Sequence, residues 1–517
     1  MARKWVTLAV VNVAVFMLLL DITVVNTALP SIREDLDASF TDLQWVVDAY
    51  ALTLAAFVLS AGSLADRLGR RRVFVWGLGI FTLASGVAAL APDPTWLNLA
   101  RAVQGIGGAI MFAVSLALIA QEFKGKELGM AMGLYGATIG SAVAIGPLVG
   151  GALTDGIGWE SVFALNVPIG IAAIALTFLR VAESRDPAAR GVDWLGVATF
   201  STSLFLLVLA LLRGNEEGWG SAMIVALLGG AAALFVAFLV AEARQQNPML
   251  PLHLFRIPAF TGVQLAAFAI SASMFAVFLY LTLYMQNILG LSPLETGLRY
   301  LPLTIVSFFV APLAGMLLAR LPARGMLAVG LLMAGFGLIL MAGVERGDEW
   351  TGLLGGFLVA GAGIGLINPV IAHVAVSVVP PEQSGMASGI NDTFRQVGIA
   401  VGIAAYGALF LGRSETEIAD RAAGTAAAAG DSPRELSEAV SSGALDGALQ
   451  AIPAADRGVV ADAAEAGFLA GFNEITLIGA GLAISGAVAS LALVRSRDIR
   501  DAVPAADGEP LPAPAAA

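Results

Sequence analysis

Fourteen apolar runs, each about long enough to cross a lipid bilayer, follow one another along the chain and leave room for little else. They fall at about 6–29, 43–64, 73–91, 96–121, 127–153, 159–180, 192–212, 221–241, 260–287, 297–319, 325–344, 351–379, 384–411 and 467–494. A spanning helix needs roughly 20 mostly apolar residues. The bilayer offers no partner to a loose N–H or C=O, so such runs fold as helices. Of the 517 residues, 58% are hydrophobic and 13% charged, with a mean hydropathy of +0.84. A water-soluble domain of this length could not bury so much apolar side chain. The expected class is an all-α membrane protein.

Lysine and arginine set the expected orientation, because positive loops stay cytoplasmic. With the N-terminus inside, 18 of the 28 Lys and Arg fall in inner segments and eight in outer ones. Four of those eight lie in one long outer loop, 413–465, where the rule is weak. Only Arg101 and Arg395 lie inside spans. The alternation implies an even span count, both termini cytoplasmic, and a place in the cytoplasmic (inner) membrane. Arg3 and Lys4 ahead of an apolar run mimic a signal peptide. That run is longer than a signal core and many spans follow it, so it is read as the first span. The net charge of −11 misleads, since ten acids and four arginines in 413–465 account for −6 of it. This is loop solvation.

The chain has no cysteine and two histidines, His253 and His373, which leaves no disulfide framework and no histidine-rich metal centre. It has no Gly-x-x-x-x-Gly-Lys-Ser/Thr loop, so ATP hydrolysis is not expected. No span gathers the His, Ser and acid groups of a membrane hydrolase. No enzyme activity, cofactor, metal or nucleic-acid partner is expected.

A trace of internal repetition supports two related halves. Gly62-Ser-Leu-Ala-Asp-Arg-Leu-Gly-Arg follows the second span and Gly315-Met-Leu-Leu-Ala-Arg-Leu-Pro-Ala-Arg the tenth, with Ala319 where the first copy has Asp66. Such symmetry is expected of transporters. Residues 1–185 are read as one six-helix bundle, 186–245 as an inserted helix pair, 246–258 as a cytoplasmic amphipathic helix and 259–500 as a second six-helix bundle. The second bundle carries the outer loop 413–465, where Ser432-Pro-Arg-Glu435 opens a short helix. The Pro/Ala-rich tail 501–517 is read as disordered.

Three motifs carry chemistry. In the inner loop after span two, Gly62 permits close helix contact and Gly69 a tight turn. Asp66 can hold a cation or a helix N-terminus across the half-interface in one conformation only, a latch built with Arg67 and Arg70; a plain anchoring loop is the alternative. Span four carries Arg101-Ala-Val-Gln104-Gly105, and an arginine within a span usually faces a partner or a cavity. Span five carries Gly136, Gly140, Ala142, Gly146, Pro147, Gly150 and Gly151, small residues that form a groove for another helix.

These segments resemble motifs of the major facilitator superfamily. The loop resembles its GxLaDrxGrk signature, span four its RxxQGxgaa motif, to which proton transfer is ascribed, and span five its antiporter motif GxxxGPxxGG, associated with exporters. Leu20-Asp21-Ile-Thr-Val-Val-Asn26-Thr-Ala-Leu-Pro30, 248–256 and Ser388-Gly-Ile-Asn-Asp392-Thr-Phe-Arg395-Gln396-Val-Gly398 are similar to segments of fourteen-span drug:proton antiporters of the EmrB/QacA type. The resemblance implies the major facilitator fold, with two inserted helices, and proton-coupled efflux of drugs or metabolites.

Running the spans alternately puts Asp21, Asp48 and Arg101 at similar depth in the outer half of the first bundle. Asp21 is the expected proton carrier, Arg101 its tuner and Asp48 an assistant or an attractor of cationic drugs; Asp48 reads equally as an interfacial acid. Glu474 is a candidate in the second bundle. Asp392 and Arg395, three apart, are expected to pair for structure or gating, and His373 to be packed. Phe278, Tyr284 and Met285, with Asn26, Gln104 and Arg395, are the expected substrate-cavity residues; the aromatic set suits lipid contact equally. The expected partners are small amphipathic or cationic molecules, protons and the bilayer. A single chain is expected to be the working unit, with a periplasmic adaptor left open. A dedicated metabolite or antibiotic exporter and a lipid-handling transporter remain alternatives.

Overall fold

The apolar runs become helices that pack around one another. The computed structural model describes residues 3–38, 40–124, 126–185, 193–245, 248–425 and 432–499. Helices α1 (Arg3–Asp35), α2 (Phe40–Leu68), α3 (Arg70–Ala88), α4 (Pro94–Glu122) and α5 (Lys126–Gly156) come first. A sixth span is made of α6 (Glu160–Ala164) and α7 (Asn166–Arg180). Next are α8 (Trp194–Glu217) and α9 (Ala222–Arg244), then α10 (Pro258–Ile270), which continues through a π-turn into α11 (Ala276–Leu283). Short α12 (Pro293–Arg299) precedes α13 (Leu301–Leu317), α14 (Ala323–Met341), α15 (Leu354–Ser377) and α16 (Ser384–Arg421). Finally α17 (Ser432–Ser442) and α18 (Leu445–Gln450) lead to α19 (Arg457–Leu493). Each of the fourteen apolar runs lies on one of these helices or on a helix pair. Among the described residues eleven helical stretches are long and apolar enough to cross a membrane, and Leu301–Leu317 is a shorter one.

The contacts sort these helices into two groups. Helices α1 to α7 pack on one another, and α10, α13, α14, α15, α16 and α19 do the same. The groups meet where α2 lies on α16 and α5 lies on α13. The inserted helices α8 and α9 pair with each other, and α8 also lies against both α2 and α16.

Two expectations need correction. Residues 248–256 do not form a helix along the interface. Only Leu252–Arg256 turn, as a single 3₁₀ segment with Leu254 buried, because Pro248, Pro251 and Pro258 deny the donors a longer helix needs. The outer loop 413–465 is largely helical: α16 and α19 run on past the expected span ends, and with α17 they bury Ile418, Ala422, Leu436, Val460 and Ala463 in a small core of their own. The helix expected at Ser432 is α17. The tail 501–517 lies outside the described residues.

Candidate functional site

A fully buried polar cluster lies in the first group. Asp21 of α1 forms a salt bridge with Arg101 of α4, both side chains being almost wholly buried. The second carboxylate oxygen accepts the amide N–H groups of Gln104, at 2.8 Å, and Asn166 of α7, at 2.9 Å. Gln104 also donates to Ser85 of α3 at 2.9 Å and accepts from Arg101 at 2.7 Å. Arg101 donates its Nε to the Val46 carbonyl of α2 at 2.9 Å and lies 4.3 Å from the centroid of the Tyr50 ring. Each ion is thus both paired and hydrogen-bonded, the condition under which buried charge is tolerated. Val46 and Tyr50, four residues apart, share the face of α2 that looks at Arg101. Asp48, midway between them, points to the other side of the helix, so the third acid expected in this cluster is turned away from it.

A second polar cluster lies where the two groups meet. Arg395 of α16 donates to Asn391 at 3.3 Å and to Asn368 of α15 at 3.2 Å, and Asn391 donates to Gln264 of α10 at 3.0 Å. Asp392 and Arg395 make no close salt bridge, because the guanidinium reaches Asn391 a full turn away, yet the two charges are near enough to act on each other electrostatically. Asp392 is buried and its Oδ2 has no hydrogen-bond partner. Buried Tyr135 of α5 is close enough to interact electrostatically with both Asp392 and Arg395.

At one end of the α2–α16 contact, Asp66 accepts the backbone N–H groups of Gly385 and Met386, at 3.1 and 2.7 Å, in the first turn of α16. A helix N-terminus leaves such donors open and favours negative charge. Arg70 grips the same carboxylate at 2.8 and 2.9 Å and donates onward to the carbonyls of Pro381 and Glu382. Arg67 reaches the carbonyl of Pro248 at 3.0 Å. Gly69 takes φ 111°, which a side chain would strain, and precedes α3. Gly62 has no room for a Cβ, which would collide with the carbonyl of Gly385.

The glycines of α5 face two ways. Gly129 and Gly133 meet Gly315 and Ala311 of α13 backbone to backbone, while Gly136 touches Pro369 of α15 and Gly140 faces Ser307. Further along, Gly146 and Gly150 press on Thr23 and Thr27 of α1, and Gly151 faces open space. The groove therefore serves α13 and α15 at one end and α1 at the other. Pro147 lies within α5.

The chain and its fold resemble known proteins. The Major Facilitator Superfamily family model matches residues 11–403. The chain belongs to the major facilitator superfamily. Over 497 residues it is 33% identical to the tetracenomycin C resistance and export protein of Streptomyces glaucescens, covering 94% of this chain and 91% of that one. It is 32% identical to the multidrug efflux pump LfrA of Mycolicibacterium smegmatis, with 94% and 95% covered. It is 38% identical to the multidrug resistance protein Stp of Mycobacterium tuberculosis, with 78% and 75% covered. Among solved structures, the human organic anion transporter MFSD10 superposes with a TM-score of 0.63 at 15% identity, covering 95% of this chain and 100% of that one. The proton:xylose symporter XylE superposes with 0.60 at 14%, covering 96% of each. The chain is a multi-pass membrane protein of a family that carries small molecules.

Within this major facilitator fold the expected site residues divide. Asp21, Arg101 and Gln104 come together, with Gln104 a member of the carboxylate network. Tyr284 and Met285 are buried core, Tyr284 stacked on Phe472 of α19 at 5.4 Å. Phe278 is half-buried against Phe275 and Tyr300, and Asn26 is exposed on α1. Glu474 is no buried acid: its side chain is 41% exposed and pairs with Arg413 of α16 at 3.7 Å. Ser85, Asn166, Tyr50 and Tyr135 escaped the sequence reading. The one available signal was Asn166, an amide set inside an apolar run.

Proposed function

We propose that the chain is a proton-coupled multidrug efflux transporter that exports small amphipathic or cationic compounds by alternating access. The relatives carry drug and antibiotic resistance names, and the observation that carries proton coupling is the buried Asp21–Arg101–Gln104–Asn166 network. A proton taken up by the Asp21 carboxylate neutralises it and releases its hold on Arg101. Arg101 keeps its bonds to Gln104 and the Val46 carbonyl, and α1 is freed to shift against α4. Loss of that proton to the other side restores the pair. Asp392, buried where the two groups meet, takes the gating part with Arg395, and Asp48 draws cations toward the first bundle. Glu474 has no part in this cycle.

The bundles 1–185 and 259–500 act as rocking lobes around a central path, as in other secondary transporters. The latch of Gly62, Asp66, Arg67, Gly69 and Arg70 holds their inner ends together, and the α5 glycines let that contact open and close. Both termini lie in the cytoplasm and the protein works as a single chain in the inner membrane. A second reading, dedicated export of one antibiotic, is favoured by the tetracenomycin C resistance and export relative, which matches over 94% of this chain.

The deciding experiment is ethidium, puromycin and tetracenomycin C transport in proteoliposomes under an imposed pH gradient. Uptake that rises with the gradient and is lost in Asp21→Asn supports the proposal. Transport that ignores the gradient rejects antiport, and a fully coupled Asp21→Asn removes the carrier assignment. Transport of tetracenomycin C alone favours the dedicated exporter.

A further inference from the structure

The two contacts between the lobes are related by the internal repeat, yet among the described residues only one of them is covered. At the first, Gly62 of α2 meets Gly385 of α16; at the second, Gly315 of α13 meets Gly129 of α5. The inserted helix α8 lies over the α2–α16 seam. Ser201 of α8 shares a hydrogen bond with Ser60 of α2 at 2.9 Å, both buried. Asn215 of α8 donates to the Ala404 carbonyl of α16 at 3.0 Å. Arg213 of α8 lies 4.9 Å from the centroid of the Trp45 ring of α2. Leu52, Ala55 and Leu59 on the flank of α2 are buried in one cluster with Phe200, Leu204 and Val208 of α8.

The α5–α13 seam has no such cover among the described residues. Leu134 of α5 is 36% exposed, and Ile305, Phe309 and Leu313 of α13 are 50–65% exposed. The short α12 touches α5, but the middle of the seam stays bare. Gly129 and Gly133 meet α13 backbone to backbone, but toward Gly140 the seam has room: a Cβ there would make only ordinary contact with Ser307. Just inside lie Tyr135 and, beyond Gly136 and Pro369, the polar cluster of Asn368, Asp392 and Arg395.

We propose that amphipathic molecules dissolved in the bilayer reach the central path through the α5–α13 seam, and that the inserted pair α8–α9 shuts the α2–α16 seam against them. This rests on the rocking-lobe reading. Two bare seams would part together as the lobes rock and admit lipid from both sides. A helix wedged into one leaves the bilayer a single entrance, lined by apolar side chains outside and ending on groups that can hold an amine or a hydroxyl. It also gives the two added helices, absent from a plain pair of six-helix bundles, a reason to lie where they do.

The absence of cysteine makes the test direct. Ser307 and Ser60 mark the bare and the covered seam, each is 2% exposed, and serine to cysteine changes little volume. Ser307→Cys and Ser60→Cys are reconstituted separately and exposed to pyrene maleimide dissolved in the lipid. The expected result is labelling of Ser307→Cys roughly tenfold or more faster than of Ser60→Cys, the response of a seam that opens against one that does not. Gly140→Cys, on the facing helix, should follow Ser307→Cys, and Ser201→Cys should follow Ser60→Cys. Equal rates, faster labelling at Ser60→Cys, or no labelling at either site would overturn the proposal. The readout needs neither a proton gradient nor a transported drug, so failure of antiport and failure of this entrance remain distinguishable.

Discussion

The carboxylate of Asp66, near the end of α2, accepts the N–H groups of Gly385 and Met386 in the first turn of α16, so one lobe caps a helix of the other. Its counterpart in the repeat, Ala319, is exposed and caps nothing. Among the described residues the lobe contact is thus latched by an acid on one side only.

Asp66→Ala should loosen that latch. Arg70 would be left buried beside open helix donors, and breaking a buried pair costs about 3–5 kcal/mol, ample to shift a two-state balance. Spin labels at Arg72→Cys and Glu382→Cys, both exposed positions, should show a distance distribution moved outward. An unchanged distribution would refute the latch.

The motif glycines should not respond alike to alanine. Gly62→Ala and Gly315→Ala press a methyl into facing backbone, and overpacking costs about 1–3 kcal/mol; melting in detergent should fall and transport with it. Gly151→Ala faces open space and should leave both unchanged. Gly146→Ala meets the side chain of Thr23 and should fall between them. Equal effects at Gly62 and Gly151 would contradict this packing.

Asp21 and Arg101 should couple strongly. Asp21→Asn alone strands a buried guanidinium, a loss of about 3–5 kcal/mol. The double variant with Arg101→Gln should recover most of that stability without recovering proton-driven transport. A double-mutant cycle on melting temperature, read beside transport, separates the two roles. Additive losses would mean that the pair is not the structural unit described.

Asp193 ties the inserted pair to the segment that follows it. Burial pushes its carboxyl up, but the N–H donors of Gly196, Gln245 and Met249, joined by the Glu242 carboxyl when that is protonated, outweigh this and hold it below the usual carboxylate range. A lowered folded value means that its stabilisation is complete above the ordinary Asp value, about 4, and is lost as pH falls through the folded value. Asp193 also caps α8 through Gly196 at 2.7 Å, and such caps contribute about 1 kcal/mol. Asp193→Asn should melt lower at pH 7, with the gap to the parent closing toward pH 3. Parallel melting curves would count against it.

Length and apolarity alone determined the helices, because a bilayer leaves a twenty-residue apolar run no other way to satisfy its backbone. The Asp66 loop, the Arg101–Gln104 pair and the span-five glycines could be read as well, since charge inside a span and small residues at helical spacing have few other uses. Tertiary structure decided what those residues touch. Counting residues puts Asp48 and Asp21 at like depth, yet it is Asp21 that pairs with Arg101. Glu474 and Asp392 are both acids near the second bundle, but packing exposes the first and buries the second. Tyr284 and Met285 are aromatic and soft enough for a binding site, yet both are buried and Phe472 of α19 stacks on Tyr284. Depth in the membrane follows from counting residues, whereas rotation about each helix axis and the choice of neighbour arise only when all the helices are packed at once.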